Sequence, residues 1–238
     1  MMKGDNSEER LVKRETLLSL KQMILRACVI VLCGAAFSGQ AEPLGEHLWT
    51  GNISIGYQQW TALADLDTEK FGTFEEGGFN LSASGHGRWK YWNRSTILLG
   101  ADLGLMINDS NIRAPGDSGT LSADILFITP SIRWTFGKPH SLRINLESGL
   151  GLYWASIREF ISTDYGALEG TRHFDEIAPG GYVGTSFDIP LGKMRRWHMN
   201  FGGRVHYADF GTVNVIGRNS GELDGPIISV QLGFSYYR

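Results

Sequence analysis

The chain has 238 residues, of which 42% are hydrophobic and 11% aromatic, with a formal net charge of −3. This apolar content excludes a disordered chain, and the lack of a basic excess argues against nucleic-acid binding. No apolar run reaches the roughly 18 residues that a membrane-spanning helix needs. Glycine is in excess, with 31 residues, or about 13% against roughly 7% in average proteins. The fold must therefore make particular use of glycine.

The first 41 residues have the pattern of an export signal. Lys21 and Arg26 precede the apolar stretch 27–37, and residues 39–41 (GQA) offer a cleavage site with small residues at the −3 and −1 positions. This order of charged, apolar and small residues is typical of a secretory signal peptide. The apolar stretch is too short to anchor the chain across a bilayer. We therefore expect residues 1–41 to be an N-terminal extension and signal peptide.

The remaining residues, 42–238, are predicted to form the mature domain. Both cysteines, Cys28 and Cys33, lie in the segment that is removed, so no disulfide is expected to stabilise this domain. A closed barrel is one architecture that supplies the missing stability. Residues 1–22 form an unusually long polar segment for the start of a signal peptide. Met23 is therefore an alternative to Met1 as the start of translation.

Apolar and polar residues alternate through most of the mature domain. From Phe79 to Tyr91 every second residue is apolar or glycine, and the segments 97–107 and 142–154 repeat the pattern. A period of two over this length predicts β-strands with one apolar and one polar face. Further segments of this kind bring the total to eight strands. They lie near 49–57, 126–136, 177–189, 197–207 and 228–236.

The connections between these strands alternate in length. Long loops are predicted at 61–77, 109–120, 158–173 and 211–225, and short turns near 92–94, 137–139 and 192–194. Barrels of the bacterial outer membrane show this alternation, because their long loops face outward and their short turns face the periplasm. The predicted fold class is all-β: an eight-stranded antiparallel up-and-down transmembrane β-barrel in the outer membrane of a Gram-negative cell envelope.

A soluble barrel with an apolar ligand cavity shows the same alternation, so the two faces must be assigned. The polar face here is mostly Gly, Ser, Asn and Thr, whereas a surface in water is expected to be rich in Lys and Glu. Aromatic residues near strand ends resemble interfacial girdles. They are Trp49, Trp89, Tyr91, Trp92, Trp134, Phe136, Trp154, Trp197, Tyr236 and Tyr237. We therefore assign the apolar face to lipid and the polar face to the lumen.

Two segments near the C-terminus resemble the small outer-membrane β-barrel superfamily, which includes the OmpA transmembrane domain and the opacity porins. Residues 203–211 (GRVHYADFG) are similar to the penultimate-strand pattern of these barrels, and residues 229–237 (SVQLGFSYY) to their closing strand. Arg238 displaces the terminal aromatic residue by one position. The resemblance covers 42–238 as architecture. It implies contacts with outer-membrane lipid, lipopolysaccharide and the barrel-insertion machinery.

Charged residues on the polar faces of neighbouring strands form the candidate functional set. They are Arg88, Asp102, Arg143, Glu147, Arg204 and His206. An eight-stranded barrel has room inside for side chains and little else. Because unpaired charges there would be costly, we expect these groups to pair and to plug the lumen. A structural or surface-interaction role follows, and a small porin-like diffusion channel is the alternative.

A lipid A-modifying enzyme is a further alternative. Lipid A deacylases of similar size carry a His-x-Ser pair in a comparable strand, but Ala208 stands two residues after His206 here, so the nucleophile is missing. Lipid A palmitoyltransferases are also eight-stranded, and none of their signature residues is recognised. His173, with Asp175 and Glu176, lacks a second histidine for a metal site. No catalytic residue, cofactor or metal is expected.

The predicted outer loops are acidic and the predicted turns are basic. The first loop carries Asp65, Asp67, Glu69, Glu75 and Glu76 against Lys70, and the turns carry Arg94, Lys138, Lys193, Arg195 and Arg196. A solvated rim explains the acidic loops, and so does binding of a surface ligand or of cations that bridge lipopolysaccharide phosphates. No loop has the spacing of a calcium-binding motif.

Overall fold

A computed structural model of the chain describes residues 49–61, 77–92, 95–114, 117–138, 141–163, 170–192, 196–213 and 221–238. Eight strands make up nearly all of this part: β1 Trp49–Trp60, β2 Gly77–Trp92, β3 Ser95–Ala114, β4 Asp117–Phe136, β5 Arg143–Thr163, β6 Gly170–Pro190, β7 Trp197–Val213 and β8 Gly221–Tyr237. The predicted signal peptide lies outside these residues. Within them, no helix is long and apolar enough to cross a membrane.

The eight strands form one closed antiparallel barrel in sequence order. The ring is closed by β1 and β8, whose register runs from Thr50 opposite Tyr237 to Trp60 opposite Ile227. Each of the other neighbouring pairs is also antiparallel. The predicted eight-stranded up-and-down topology is confirmed.

Several strands extend into segments predicted as loops. The predicted loop 109–120 is instead a hairpin, whose pairing continues up to Ala114 opposite Asp117. Two further long connections shorten in the same way, to 164–169 between β5 and β6 and to 214–220 between β7 and β8, whereas the first keeps nearly its predicted bounds at 61–76. The added strand residues lie at the end of the barrel with the long connections, beyond the part of each strand in which apolar residues alternate regularly. Backbone pairing continues there without the pattern that marks a strand in the sequence.

An apolar band covers the outward face of the barrel. Leu150 and Phe79 are 78% and 68% exposed, while Asn80 and Ser82, which alternate with outward residues along β2, are buried in the lumen. An apolar belt of this kind around a closed barrel is the surface that contacts lipid in outer-membrane proteins. The apolar face is therefore outside, as the composition of the polar face predicts.

One residue predicted for the aromatic girdle lies elsewhere. Tyr237 points into the lumen, where it is buried and donates a hydrogen bond from its hydroxyl to Asp188. Its neighbour Tyr236 contacts Trp197 on the outer face, with ring centroids 5.0 Å apart. Consecutive residues of a strand point to opposite faces, so the two tyrosines cannot both belong to the girdle.

Candidate functional site in the barrel lumen

Buried side chains fill the lumen in three layers. A polar layer around Asp188 lies nearest the end with the short turns, arginines and carboxylates occupy the middle, and an apolar cluster lies toward the long connections. Three acids and three arginines are buried in the described part of the chain: Asp102, Glu147, Asp188, Arg133, Arg143 and Arg204. Their formal charges cancel, which reduces the cost of taking them out of water.

Arg204 is the centre of the middle layer. Its Nη2 lies 2.9 Å from Asp102 Oδ1 and 2.6 Å from Glu147 Oε2. These three residues come from β7, β3 and β5, so the contacts cross the lumen instead of following one strand pair. Hydrogen bonds between ionised partners are about twice as strong as those between neutral groups.

A glycine allows Arg204 to reach Glu147. Gly184 of β6 lies opposite Glu147 on one side and opposite Arg204 on the other. A Cβ atom at Gly184 would lie 2.7 Å from Arg204 Cγ and 2.9 Å from the backbone oxygen of Gly203. The missing side chain therefore leaves the space through which the guanidinium extends.

Arg133, which was not in the predicted set, completes the charge network. It lies directly opposite Glu147 in the β4–β5 pair. Its Nε is 3.0 Å from Glu147 Oε1, a charge contact in which the N–H is not directed at the oxygen, and its Nη2 donates to Ser84 Oγ over 3.3 Å. Arg133 stands between Ile132 and Trp134, both outward, so strict alternation along β4 would have placed it in the lumen.

Neutral groups complete the surroundings of Asp102. Ser131 donates to Asp102 Oδ2 over 2.5 Å, and the Tyr182 hydroxyl donates to the same oxygen over 2.7 Å. The single Ser131 proton is used in that bond, so His86 Nε2 donates to Ser131 Oγ over 2.9 Å. His86 Nε2 also lies 3.6 Å from Asp102 Oδ2.

The structure brings Asp102, Glu147 and Arg204 together from the predicted set, and it places Arg143 and Arg88 elsewhere. Arg143 lies in the polar layer around Asp188, where its guanidinium carbon is 4.2 Å from the ring centroid of Tyr237. Arg88 is half-buried beside the irregularity in the β2–β3 register, where Arg88 faces Leu98 and Lys90 faces Ile97.

His206, the sixth predicted residue, is fully buried between the charge network and the apolar cluster. Its Nδ1 lies 3.0 Å from the Tyr153 hydroxyl, and its ring centroid is 5.0 Å from that of Phe127 and 5.2 Å from that of Tyr182. These aromatic rings surround the imidazole on the lumen side of the wall. The position is therefore separated from the lipid-facing surface.

Asp188 organises the polar layer nearest the short turns. It accepts hydrogen bonds from Asn145 Nδ2 (2.9 Å), Asn200 Nδ2 (2.5 Å), Ser235 Oγ (3.2 Å) and the Tyr237 hydroxyl. These donors come from three different strands besides its own. Only the apolar residues of this segment were used to predict the strand, so Asp188 was not among the predicted lumen residues, although it alternates with the outward Phe187 and Ile189.

The outer part of the lumen is apolar, which corrects the expectation of a uniformly polar interior. Trp60 and Phe210 meet edge to face with ring centroids 5.9 Å apart. The other buried members of this apolar cluster are Met106, Ala123, Ile125, Phe127, Tyr153, Ala155, Ile157, Ala178, Ala208, Leu223 and Ile227. The interior therefore packs there like the core of a soluble protein, which alternation of apolar and polar residues does not reveal.

A small polar group lies on the outer surface around His173. His173 Nε2 is 3.2 Å from Asp175 Oδ1 and 3.3 Å from Ser156 Oγ. Both contacts use the same ring nitrogen, whereas a catalytic histidine uses one nitrogen for the nucleophile and the other for the carboxylate. In the described residues no three His, Cys, Asp or Glu side chains form a group that could hold a metal ion.

No protein-family model and no curated protein matches the sequence. Among solved structures, Neisserial surface protein A is 14% identical over 80% of this chain and 97% of its own, with a TM-score of 0.42. Ail of Yersinia pestis is 13% identical over 82% of this chain and 100% of its own (TM-score 0.42), and the outer membrane enzyme PagL is 12% identical over 79% and 98% (TM-score 0.38). At these identities, the function has to be argued from the barrel itself. Its closed ring of eight strands and its apolar outer band make the chain a small outer-membrane β-barrel.

Proposed function

We propose that this protein is a non-enzymatic outer-membrane barrel with a sealed lumen, which presents a protruding β-sheet as an interaction surface. The seal is supported by two layers of buried side chains, one charged and one apolar, which lie one above the other in the lumen. Arg204 joins Asp102 to Glu147 in the middle, and the Trp60–Phe210 pair lies in the apolar cluster toward the outer end. An ion would have to displace both.

The two layers oppose permeation for different physical reasons. A hydrated ion entering the apolar cluster would lose its water without gaining polar partners. In the middle layer, Arg204 Nη2 donates to both Asp102 and Glu147, so opening a path would break charge-assisted hydrogen bonds. Both layers therefore favour a sealed scaffold over a small diffusion channel.

Single-channel recording in planar bilayers tests the seal. The purified protein is expected to give no discrete current steps at protein amounts at which a conducting porin, used as the control, gives many. Heat-modifiable migration on unboiled gels checks that the reconstituted protein is folded. Reproducible current steps from the folded protein would overturn the seal and support the channel.

The proposed interaction surface rests on a difference in strand length: four neighbouring strands extend further outward than the others. Pairing between β6 and β7 ends at Gly180 opposite Ala208, whereas β6 continues outward and remains paired with β5 as far as Gly170. On the other side, pairing of β3 with β2 ends at Ile107, while β3 continues to Ala114 along β4. In the described strands, β3–β6 therefore protrude as a four-stranded sheet whose edges are not paired within the wall.

An unpaired sheet edge presents backbone groups that a strand of another protein can pair with. The acidic first loop is the second feature of the outer end that could contact a partner. The protruding sheet can be shortened without changing this loop. Arg158 lies opposite His173 in the β5–β6 hairpin, so a turn placed directly between them keeps the register of the remaining strands. Replacing 159–172 by Asn-Gly would shorten this hairpin and leave the last retained pair joined by a tight turn.

Adherence of expressing bacteria to cultured epithelial cells tests this role. Wild-type cells are expected to adhere more than cells with an empty vector, and the shortened hairpin is expected to remove the difference at equal outer-membrane abundance. A second variant, with Asp65, Asp67, Glu69, Glu75 and Glu76 changed to their amides, tests the loop. If wild-type and empty-vector cells adhere equally, the protruding sheet does not bind epithelial cells.

The non-enzymatic part of the proposal rests on the position of His206. The imidazole is enclosed by Phe127, Tyr153 and Tyr182, and the residue two positions further along the strand is Ala208. Incubation with lipid A is therefore expected to release no acyl chains. Release that His206→Ala abolishes would contradict the proposal.

A further inference from the structure

The two ends of the barrel carry opposite charge. The connections at the outer end, 61–76, 115–116, 164–169 and 214–220, contain seven acidic residues and two basic ones. The three turns at the other end, 93–94, 137–142 and 191–196, contain five basic residues and no Asp or Glu. These basic residues are Arg94, Lys138, Lys193, Arg195 and Arg196. The connections at the two ends therefore differ in the sign of their charge.

Exposed tryptophans lie close in sequence to two exposed cations of this end, Lys90 and Arg196. Trp89 is 64% exposed and Trp92 is 42% exposed on β2, and Trp197 at the start of β7 is 43% exposed. Lys90, between the two β2 tryptophans in sequence, has its Nζ 4.8 Å from the ring centroid of Trp92. Arg196 is exposed and directly precedes Trp197. Tryptophans of this kind lie at the level of lipid headgroups.

We infer that the basic rim formed by Lys90, Lys138 and Arg196, which are all exposed, binds anionic phospholipid headgroups in the periplasmic leaflet of the outer membrane. Lys and Arg beside interfacial tryptophans are placed to contact phosphate, and each cation near an anionic membrane surface strengthens binding. The β2–β3 turn has two residues, 93–94, and the others have six. Connections of this length cannot carry their charges far beyond the headgroups, which favours lipid over a polymer deeper in the periplasm.

Native mass spectrometry of the full-length protein tests this inference. The protein is released from bilayers of phosphatidylcholine mixed with phosphatidylglycerol, and retained lipids are counted. Retention of phosphatidylglycerol over phosphatidylcholine is expected. The preference for phosphatidylglycerol should fall about fivefold in each of the single variants Lys90→Gln, Lys138→Gln and Arg196→Gln, because each removes one charge. Arg158→Gln, an exposed cation on the outer half of β5, is the matched control and should retain lipid like the wild type.

The outcomes separate the alternatives. Equal retention of the two lipids, or equal loss in Arg158→Gln and the rim variants, would overturn the inference. Rim-dependent binding to insoluble peptidoglycan without any preference for phosphatidylglycerol would also overturn it, in favour of a cell-wall partner. If a variant that combines Lys90→Gln, Lys138→Gln and Arg196→Gln does not fold, the single variants and the wild type at raised salt still decide, since salt must weaken the lipid preference.

Discussion

Arg204 and Glu147 meet across Gly184, with Nη2 and Oε2 2.6 Å apart. Glu147 also faces Arg133, whose Nε is 3.0 Å from its other oxygen. One carboxylate therefore balances two guanidinium groups, while Asp102 balances Arg204 from the opposite side. The middle layer is thus a single connected network, and removing one member leaves its partners buried with unbalanced charge.

The variant Glu147→Gln tests this connection directly. It preserves the shape of the side chain but leaves Arg133 and Arg204 without their shared carboxylate. The free energy of unfolding, measured by urea titration in lipid vesicles, is expected to fall by about 3–5 kcal/mol. The double variant Arg133→Met with Glu147→Gln removes one charge of each sign and should recover much of the loss. Glu176→Gln, at an exposed position, is the control, and an equal effect of both Gln variants would contradict the network.

Alternation in the sequence was sufficient to predict the barrel, because the apolar band imposes a period of two on every strand that crosses it. It also placed Asp102, Glu147 and Arg204 on inward faces of three different strands. It could not show that Gly184 lets two of them meet, because that depends on register between strands. The apolar cluster around Trp60 was missed for a related reason, since both faces of a strand can be apolar where the lumen is a packed core.

Gly184→Ala is expected to weaken the same network without changing any charge. The added Cβ would lie 2.7 Å from Arg204 Cγ and 2.9 Å from the backbone oxygen of Gly203, and the backbone cannot yield cheaply. Overpacking of this kind costs about 1–3 kcal/mol. Gly87→Ala is the matched control, because nothing lies within 4 Å of its added Cβ. Urea titration should show a loss for Gly184→Ala and none for Gly87→Ala. Equal stability of the two variants would show that Gly184 is not needed for the Arg204–Glu147 contact.

Two consecutive isoleucines separate lumen packing from lipid contact. Ile227 is 1% exposed within the apolar cluster, and Ile228 is 47% exposed on the outer face. Ile227→Ala should lower the free energy of unfolding by about 2–5 kcal/mol, since it leaves a cavity in a packed core. Ile228→Ala should cost less, because lipid chains can fill the space. A larger loss for Ile228→Ala would mean that the outer lumen is not a packed core.

The protruding sheet predicts a specific pattern of amide hydrogen exchange. Along 171–178 of β6, amides directed toward β5 are paired, whereas those directed toward β7 have no strand partner in the described wall, because β6–β7 pairing stops at Gly180. Residues 152–161 of β5 lie at the same height, and nearly all of them pair with a neighbour on both sides. Alternate amides of the β6 segment are therefore expected to exchange at least tenfold faster than those of the β5 segment, as local opening is not needed to expose them. Exchange is measured residue by residue on the folded protein in detergent micelles. Uniform slow exchange along 171–178 would show that this edge is covered in solution, and it would remove the structural basis for strand addition by a partner.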